Sequence, residues 1–217
     1  MKKLLIGLTL GIASINSYAL DMFNFDLFSK PDTTNCEKVN DHQVCNLYLL
    51  EGIGEPSTYL SVYKTLLGLK EGDIAYLHLA GMGGSGDGLV YLLNTIRNSR
   101  ADVISVVDGS VASAHAVLAV ATKKTIINGD AWILFHSISL SNMEDEVCRQ
   151  ETGSDRGLAA YTKCMELVPT LSKFYNKVIQ QYVYPVMTPE EVKRYEEGHD
   201  IVITSDDLEQ RLKVRDR

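Results

Sequence analysis

Past its first twenty residues the chain has no apolar run long enough to cross a bilayer, which leaves no candidate membrane-spanning helix in the body of the sequence. It has no cationic excess either: 21 Lys and Arg stand against 28 Asp and Glu, a net charge of −7. Nucleic acid and anionic lipid call for the opposite sign, so neither is an expected partner. No cysteine pair has the CxxC spacing of a structural zinc site, and no metal is expected. The glycine-rich stretch at 81–88 lacks the GK[ST] of a phosphate loop and the GxGxxG spacing of a dinucleotide fold. No cofactor is expected. There is no GxSxG elbow and no internal repeat.

What is present fits one domain. The 217 residues carry 45% apolar and 23% charged side chains, an ordinary globular mixture large enough for a hydrophobic core. The N-terminus reads as a secretory signal peptide over 1–19. Lys2 and Lys3 form a basic start, residues 4–15 an apolar run, and Ser17-Tyr18-Ala19 places small residues before a cleavage site after Ala19. Loss of the two lysines takes the net charge from −7 to −9. The expected location is therefore periplasmic or extracellular. Four cysteines in an exported chain suggest disulfides, and local pairing gives Cys36–Cys45 and Cys148–Cys164.

Residues 20–46 read as a lead-in holding the first cysteine loop, with its first part, 20–35, only loosely ordered. From there periodicity predicts strands at 43–52, 73–79, 102–107, 125–127, 131–135 and 201–203. Helices are expected at 55–69, 89–97, 114–121, 158–183, 185–195 and 206–212. Thr188, Pro189 and Glu191 carry a capping-box signature for the fifth of these. Strands alternating with helices imply parallel βαβ units, a mostly parallel sheet flanked by helices. Ligands bind such sheets beyond the carboxyl ends of the strands. Gly81–Ser85, Gly109–Ser113 and His136 all follow strand ends, so three loops converge on one edge.

The chemistry-bearing residues on that edge are Ser113 and His136. Ser113 opens a helix among small residues, where unsatisfied N–H groups can stabilise an oxyanion while the hydroxyl attacks a carbonyl. The same small residues equally suit close helix packing. His136 ends an apolar strand and is a candidate base. His115 lies nearer in sequence but points to another helix face; His78 reads as a satisfied polar group inside a strand. A carboxylate should fix the imidazole, and Asp200, Asp108 and Asp130 all stand near sheet edges. The residues alone leave that choice open.

The ordered pieces resemble the proteolytic subunit of the Clp protease, within the Clp/crotonase fold, over roughly residues 47–212. DIAYLHLAGMGGSGDG is similar to that family's strand and glycine turn, DVISVVDGSVASAHAVLAVA to its nucleophile helix, AWILFHSISLS to the strand ending in the base, and EEGHDIVITSDDLEQ to the stretch holding the triad aspartate. The resemblance implies Ser113 as nucleophile, His136 as base, Asp200 as orienting acid, and the N–H groups of Gly83 and Ala114 as oxyanion donors. It implies a Clp/crotonase-like domain over 47–217, with residues 137–185 as a handle-like helical insertion, and a homo-oligomer. Met82 replaces the family's proline, and Ala114-His115 its Met-Gly. An exported location leaves no ATPase partner. The expected activity is a serine peptidase acting on short or unfolded peptides. A catalytically inactive binding protein of this fold and a crotonase-type thioester enzyme are the alternatives.

Overall fold

A computed structural model describes residues 34–136 and 157–215. The expected signal peptide lies outside the described residues, as do most of the lead-in and Cys148 of the second cysteine pair. Seven strands form one mixed sheet. They are β1 (Thr34–Val39), β2 (His42–Leu49), β3 (Ile74–Gly81), β4 (Asp102–Ala112), β5 (Lys124–Ile127), β6 (Trp132–Phe135) and β7 (Ile201–Thr204). The order is β1-β2-β3-β4-β6-β7, with β5 also on β4. Every pairing from β2 through β6 is parallel, and β1 and β7 add antiparallel edges. The helices are α1 (Leu60–Gly68), α2 (Gly86–Asn98), α3 (Ala114–Ala121), α4 (Gly157–Tyr182), α5 (Pro189–Glu196) and α6 (Ser205–Arg215). The expected α/β class with a largely parallel sheet is what the chain forms. Of the expected handle region, the described part is α4 and the short turn after it.

Alternation along the strands decides which face is covered. Cys45, Leu47 and Leu49 of β2, Ala75, Leu77 and Leu79 of β3, and Val103 and Val107 of β4 are buried with α1, α2 and α3 in one core. On the opposite face Asn46, Tyr48, Tyr76, His78 and Ile104 are only half-buried. α3 is buried almost throughout, from Ala114 to Val120, because its side chains are small or branched and apolar, with His115 the one polar group buried among them. At roughly 25 cal/mol per Å2 of apolar surface removed from water, packing of this kind dominates the stability of the fold.

Three local features shape the edge that holds the candidate residues. First, α2 begins at Gly86, earlier than the periodicity suggests, because Ser85 Oγ accepts the Gly88 N–H at 3.2 Å and caps the helix inside the glycine-rich stretch. Second, β4 runs five residues past its expected end. Its pairing with β3 steps from Leu79↔Val107 to Gly81↔Val111, so β4 carries two extra residues there. Such a bulge bends and twists a strand. Before it, β4 pairs with β5; beyond it, Val111 and Ala112 pair with β6. Third, Thr188 and Glu191 form the expected capping box at the start of α5. Arg211 of α6 then grips Glu191 and Asp207 through both ends of its guanidinium and donates to the Val186 carbonyl. This ties α5 to α6 on either side of β7. Burial raises the Glu191 pKa, but the Arg211 hydrogen bonds outweigh it and hold the carboxyl below its ordinary value.

β1 was not expected as a strand. It is an edge strand with nearly every side chain exposed, so it has no apolar alternation to read. It turns back through Asn40, whose φ of 56° is one that Asn tolerates. Cys36 and Cys45 are directly opposite in the ladder and are joined by a disulfide, as expected for that pair. Closing so short a loop restrains mainly the unfolded chain. Replacing Cys36 and Cys45 by Ser should lower unfolding stability by about 2–3 kcal/mol in urea titrations, with the slope on denaturant changed little. A loss under about 0.5 kcal/mol would mean the hairpin holds without the bridge.

Candidate active site

β4 ends at Ala112 and α3 begins at Ala114, so the whole strand-to-helix turn is made by Ser113. Its φ of 55° and ψ of −124° are conformations that side-chain-bearing residues rarely adopt, costing of order 1–3 kcal/mol. The turn is held at both ends. The Ser113 N–H donates to the Leu134 carbonyl at 2.9 Å, and the Ser113 carbonyl accepts the Val117 N–H at 3.1 Å. A serine at a helix start ordinarily caps it, yet this hydroxyl makes no cap bond. Instead Ser113 Oγ lies 2.6 Å from His136 Nε2.

His136 follows directly on β6, and its carbonyl accepts the Tyr195 hydroxyl at 3.0 Å. Tyr195 is buried at the end of α5 and fixes the backbone that carries the imidazole. It was missed in the sequence, where it reads only as an apolar position of a helix. The β6–β7 ladder ends at Phe135↔Ile201. One antiparallel step further lie His136 and Asp200, so Asp200 holds the register position opposite the imidazole. The rival carboxylates are elsewhere. Asp108 Oδ2 is 2.5 Å from His78 Nδ1, and Asp108 Oδ1 accepts from Asn128 Nδ2 at 2.7 Å. Asp130 is exposed ahead of β6, at the end of that strand remote from His136. His78 is the satisfied strand histidine that was expected, held between Asp108 and Asn46 and stacked on Tyr48.

The glycine turn lies against the serine. A Cβ on Gly83 would come within 2.4 Å of Ser113 Cβ, so only glycine fits beside the hydroxyl. Gly83 has a φ of 104° and Gly84 of 141°, both open to glycine alone. The expected role of the Gly83 N–H as an oxyanion donor needs correction: that N–H is already donated to His115 Nδ1 at 3.1 Å. The Gly83 carbonyl accepts from the Ile53 N–H at 2.7 Å. In a trans peptide the following N–H points the opposite way, so the Gly84 N–H is directed away from Ile53. It makes no hydrogen bond among the described residues. Ala114 stands at the first position of α3, where an N–H has no intrahelical acceptor. Gly84 and Ala114 thus each offer at this edge an N–H with no partner among the described residues.

His115 makes no hydrogen bond to the Ser113 hydroxyl among the described residues, and it is fully buried. Besides accepting from Gly83 at Nδ1, it donates from Nε2 to the Leu49 carbonyl at 3.2 Å. Burial lowers its pKa from 6.5 to about 4, against the opposing pull of the Leu49 carbonyl, which accepts from the ring. A cavity of about 580 Å3 lies at the other edge of the sheet, lined by Asp102, Arg97 and Lys124 among others, and has no part in this arrangement. Among the described residues no group of His, Cys, Asp and Glu is placed to hold a metal ion, and no helix is long and apolar enough to cross a membrane. Compared with known proteins, the chain matches no family model and no curated protein.

His115 makes stability depend on pH in a definite direction. The unfolded chain takes up this proton near pH 6.5 and the folded chain only near about 4. Stability contributed by the neutral folded form should therefore fall as pH drops from about 6.5 to about 4, by about 3 kcal/mol in all, and be flat above that window. The lowered carboxyl groups of Asp73 and Glu191 add to the loss only as pH falls through their unfolded values of 3.8 and 4.5 and below. Urea unfolding at several pH values should show a slope in this window that the His115→Asn variant lacks; equal slopes in the two proteins would contradict the assignment.

Proposed function

We propose that this chain is a serine peptidase of the Clp-like kind, with Ser113 as nucleophile and His136 as general base. The observation that carries the proposal is the 2.6 Å contact between Ser113 Oγ and His136 Nε2, made by a serine on a strained turn that leaves its hydroxyl unused for capping. Nucleophile and base within hydrogen-bond reach is the first requirement of covalent acyl transfer.

The steps follow from the positions. A neutral His136 accepts the Ser113 proton at Nε2 as Oγ attacks a peptide carbonyl. The carbonyl oxygen, now negative, lies between the N–H groups of Ala114 and Gly84, which need no reorganisation to meet it. His136 passes the proton to the departing amine, leaving an acyl group on Ser113. Water, activated by the same imidazole, releases the acid and restores the serine. Asp200, opposite His136, takes the orienting role: it accepts the Nδ1 proton and keeps Nε2 free to receive the next one. On the face of the β6–β7 pair that carries His136 lie Trp132, Leu134 and Val202, with Val202 60% and Trp132 39% exposed. Met82, in the glycine turn, is 62% exposed. Apolar side chains on both sides of the serine favour peptides with apolar residues near the cleaved bond.

Export, assembly into a homo-oligomer and action without an ATPase belong to this reading as its expected setting. The Cys36–Cys45 disulfide supports an oxidising compartment. The inactive-scaffold reading calls for a separated serine and histidine, and their contact counts against it. A thioester enzyme would use the same oxyanion donors but needs no serine–histidine contact.

With purified chain and fluorogenic peptides, Ser113→Ala and His136→Ala should each lower kcat by roughly a thousandfold or more, with KM little changed. Asp200→Asn should lower kcat by about a hundredfold to ten-thousandfold, and Asp130→Asn should leave it within about twofold. Hydrolysis by the Ser113→Ala variant at the wild-type rate would overturn the proposal, as would a wild type no faster than that variant.

A further inference from the structure

The residue after Ala114 carries an imidazole where a helix start packed against a sheet would ordinarily place another small apolar group. A fully buried histidine is costly unless both ring nitrogens find partners. Here they do, and the partners lie on two separate segments: the Leu49 carbonyl at the end of β2 and the Gly83 N–H in the glycine turn. Donating at one nitrogen while accepting at the other is possible only for the neutral ring with its proton on Nε2. An imidazolium has no lone pair left for Gly83.

The turn is shaped around this ring. Gly81 has a φ of 152°, and a Cβ there would lie 2.9 Å from His115 Cε1. On its other side the turn is pinned by Ile53, whose N–H meets the Gly83 carbonyl at 2.7 Å and whose carbonyl accepts the Ser85 N–H at 2.6 Å. Gly83 is therefore held at its N–H by His115 and at its carbonyl by Ile53. Two anchors on one residue fix both of its torsions, although glycine alone would leave them the freest in the chain. The torsions of Gly83 in turn aim the next N–H, that of Gly84.

We infer that His115 is a positioning residue for the peptidase reaction, a buried clamp that holds the glycine turn so that the Gly84 N–H faces the oxyanion formed at Ser113. The inference rests on the peptidase reading and adds a residue to it. His115 touches neither substrate nor reacting atoms. It acts through Gly83, and it lies on the same helix start as the nucleophile, so the donor and the serine are set by one element. The clamp places its effect in the transition state, where the oxyanion exists, and leaves ground-state binding of the peptide largely untouched.

Two nearly isosteric variants separate this role from plain packing. Asn at 115 keeps an oxygen acceptor at the position of Nδ1, within reach of Gly83. Gln moves its amide out to the position of Nε2, keeping a partner for Leu49 and leaving Gly83 without one. His115→Gln should lower kcat about 10–100-fold with KM within about twofold, and weaken binding of a peptide aldehyde, which forms the tetrahedral adduct, by the same factor as kcat/KM. His115→Asn should restore most of kcat and of aldehyde affinity. Amide exchange at Gly83 should be slow in wild type and the Asn variant and fast in the Gln variant. Equal losses in Asn and Gln, or a lower kcat with unchanged aldehyde affinity, would overturn the clamp. The wild type gives a test that needs no variant: ring-nitrogen NMR at pH 7 should show His115 neutral and protonated at Nε2, and the Nδ1-protonated tautomer would overturn the clamp. A wild type that cleaves no peptide overturns the peptidase reading itself, whereas an active wild type with indistinguishable Asn and Gln variants overturns only this inference.

Discussion

The hydrogen bond from the Ser113 N–H to the Leu134 carbonyl joins the two halves of the candidate site. It holds a residue whose backbone angles are unfavourable for any side-chain-bearing amino acid. It also fixes the end of β6 against the end of β4, and β6 continues directly into His136. A slip of β6 by one residue would turn its side chains to the other face and carry the imidazole away from the hydroxyl. The bulge in β4 makes this bond possible: it takes the strand off β5 and onto β6 just before the serine. Strain at Ser113 is sustained because bonds on both sides of the turn over-determine it.

Other parts of the molecule converge on the same small volume. The glycine turn approaches so closely that no Cβ fits at Gly83. The β6–β7 ladder puts Asp200 opposite His136, while Tyr195 secures the His136 backbone. The Arg211 cluster links the helices that flank β7 and so steadies the segment carrying Asp200. Each of these is a modest interaction by itself, worth about 0.5–3 kcal/mol. Their joint effect is to hold the half-buried Ser113 hydroxyl and the exposed His136 imidazole within one hydrogen bond of each other.

Much of this was legible in the chain. Strand and helix alternation showed a largely parallel α/β sheet, because buried parallel strands are continuous apolar runs. The bounds of α3 were read to the residue, since the small apolar stretch stops at Thr122. Ser113 and His136 were named from their places after strands, and the choice of Asp200 came from family resemblance. What was not legible depended on contacts between distant segments. β1 is exposed and shows no alternation, so only its cysteine marked it. Gly83 was taken for the oxyanion donor because local sequence cannot show which of two neighbouring N–H groups is already bonded. His115 was set aside as facing away from the serine, and its partners, 66 residues away at Leu49 and 32 at Gly83, are invisible to spacing. Tyr195 reaches His136 across 59 residues and carries no local signal at all.

The central claim is that Ser113 and His136 form one reactive unit, and intact-mass analysis after exposure to a fluorophosphonate measures it most directly. The reagent phosphonylates a serine only when a base removes its proton and N–H donors receive the oxygen. One adduct per chain should form, mapped by peptide sequencing to Ser113, and His136→Ala should slow its formation by about a hundredfold or more. An unmodified wild-type chain, or an adduct that forms as fast without His136, would contradict the account.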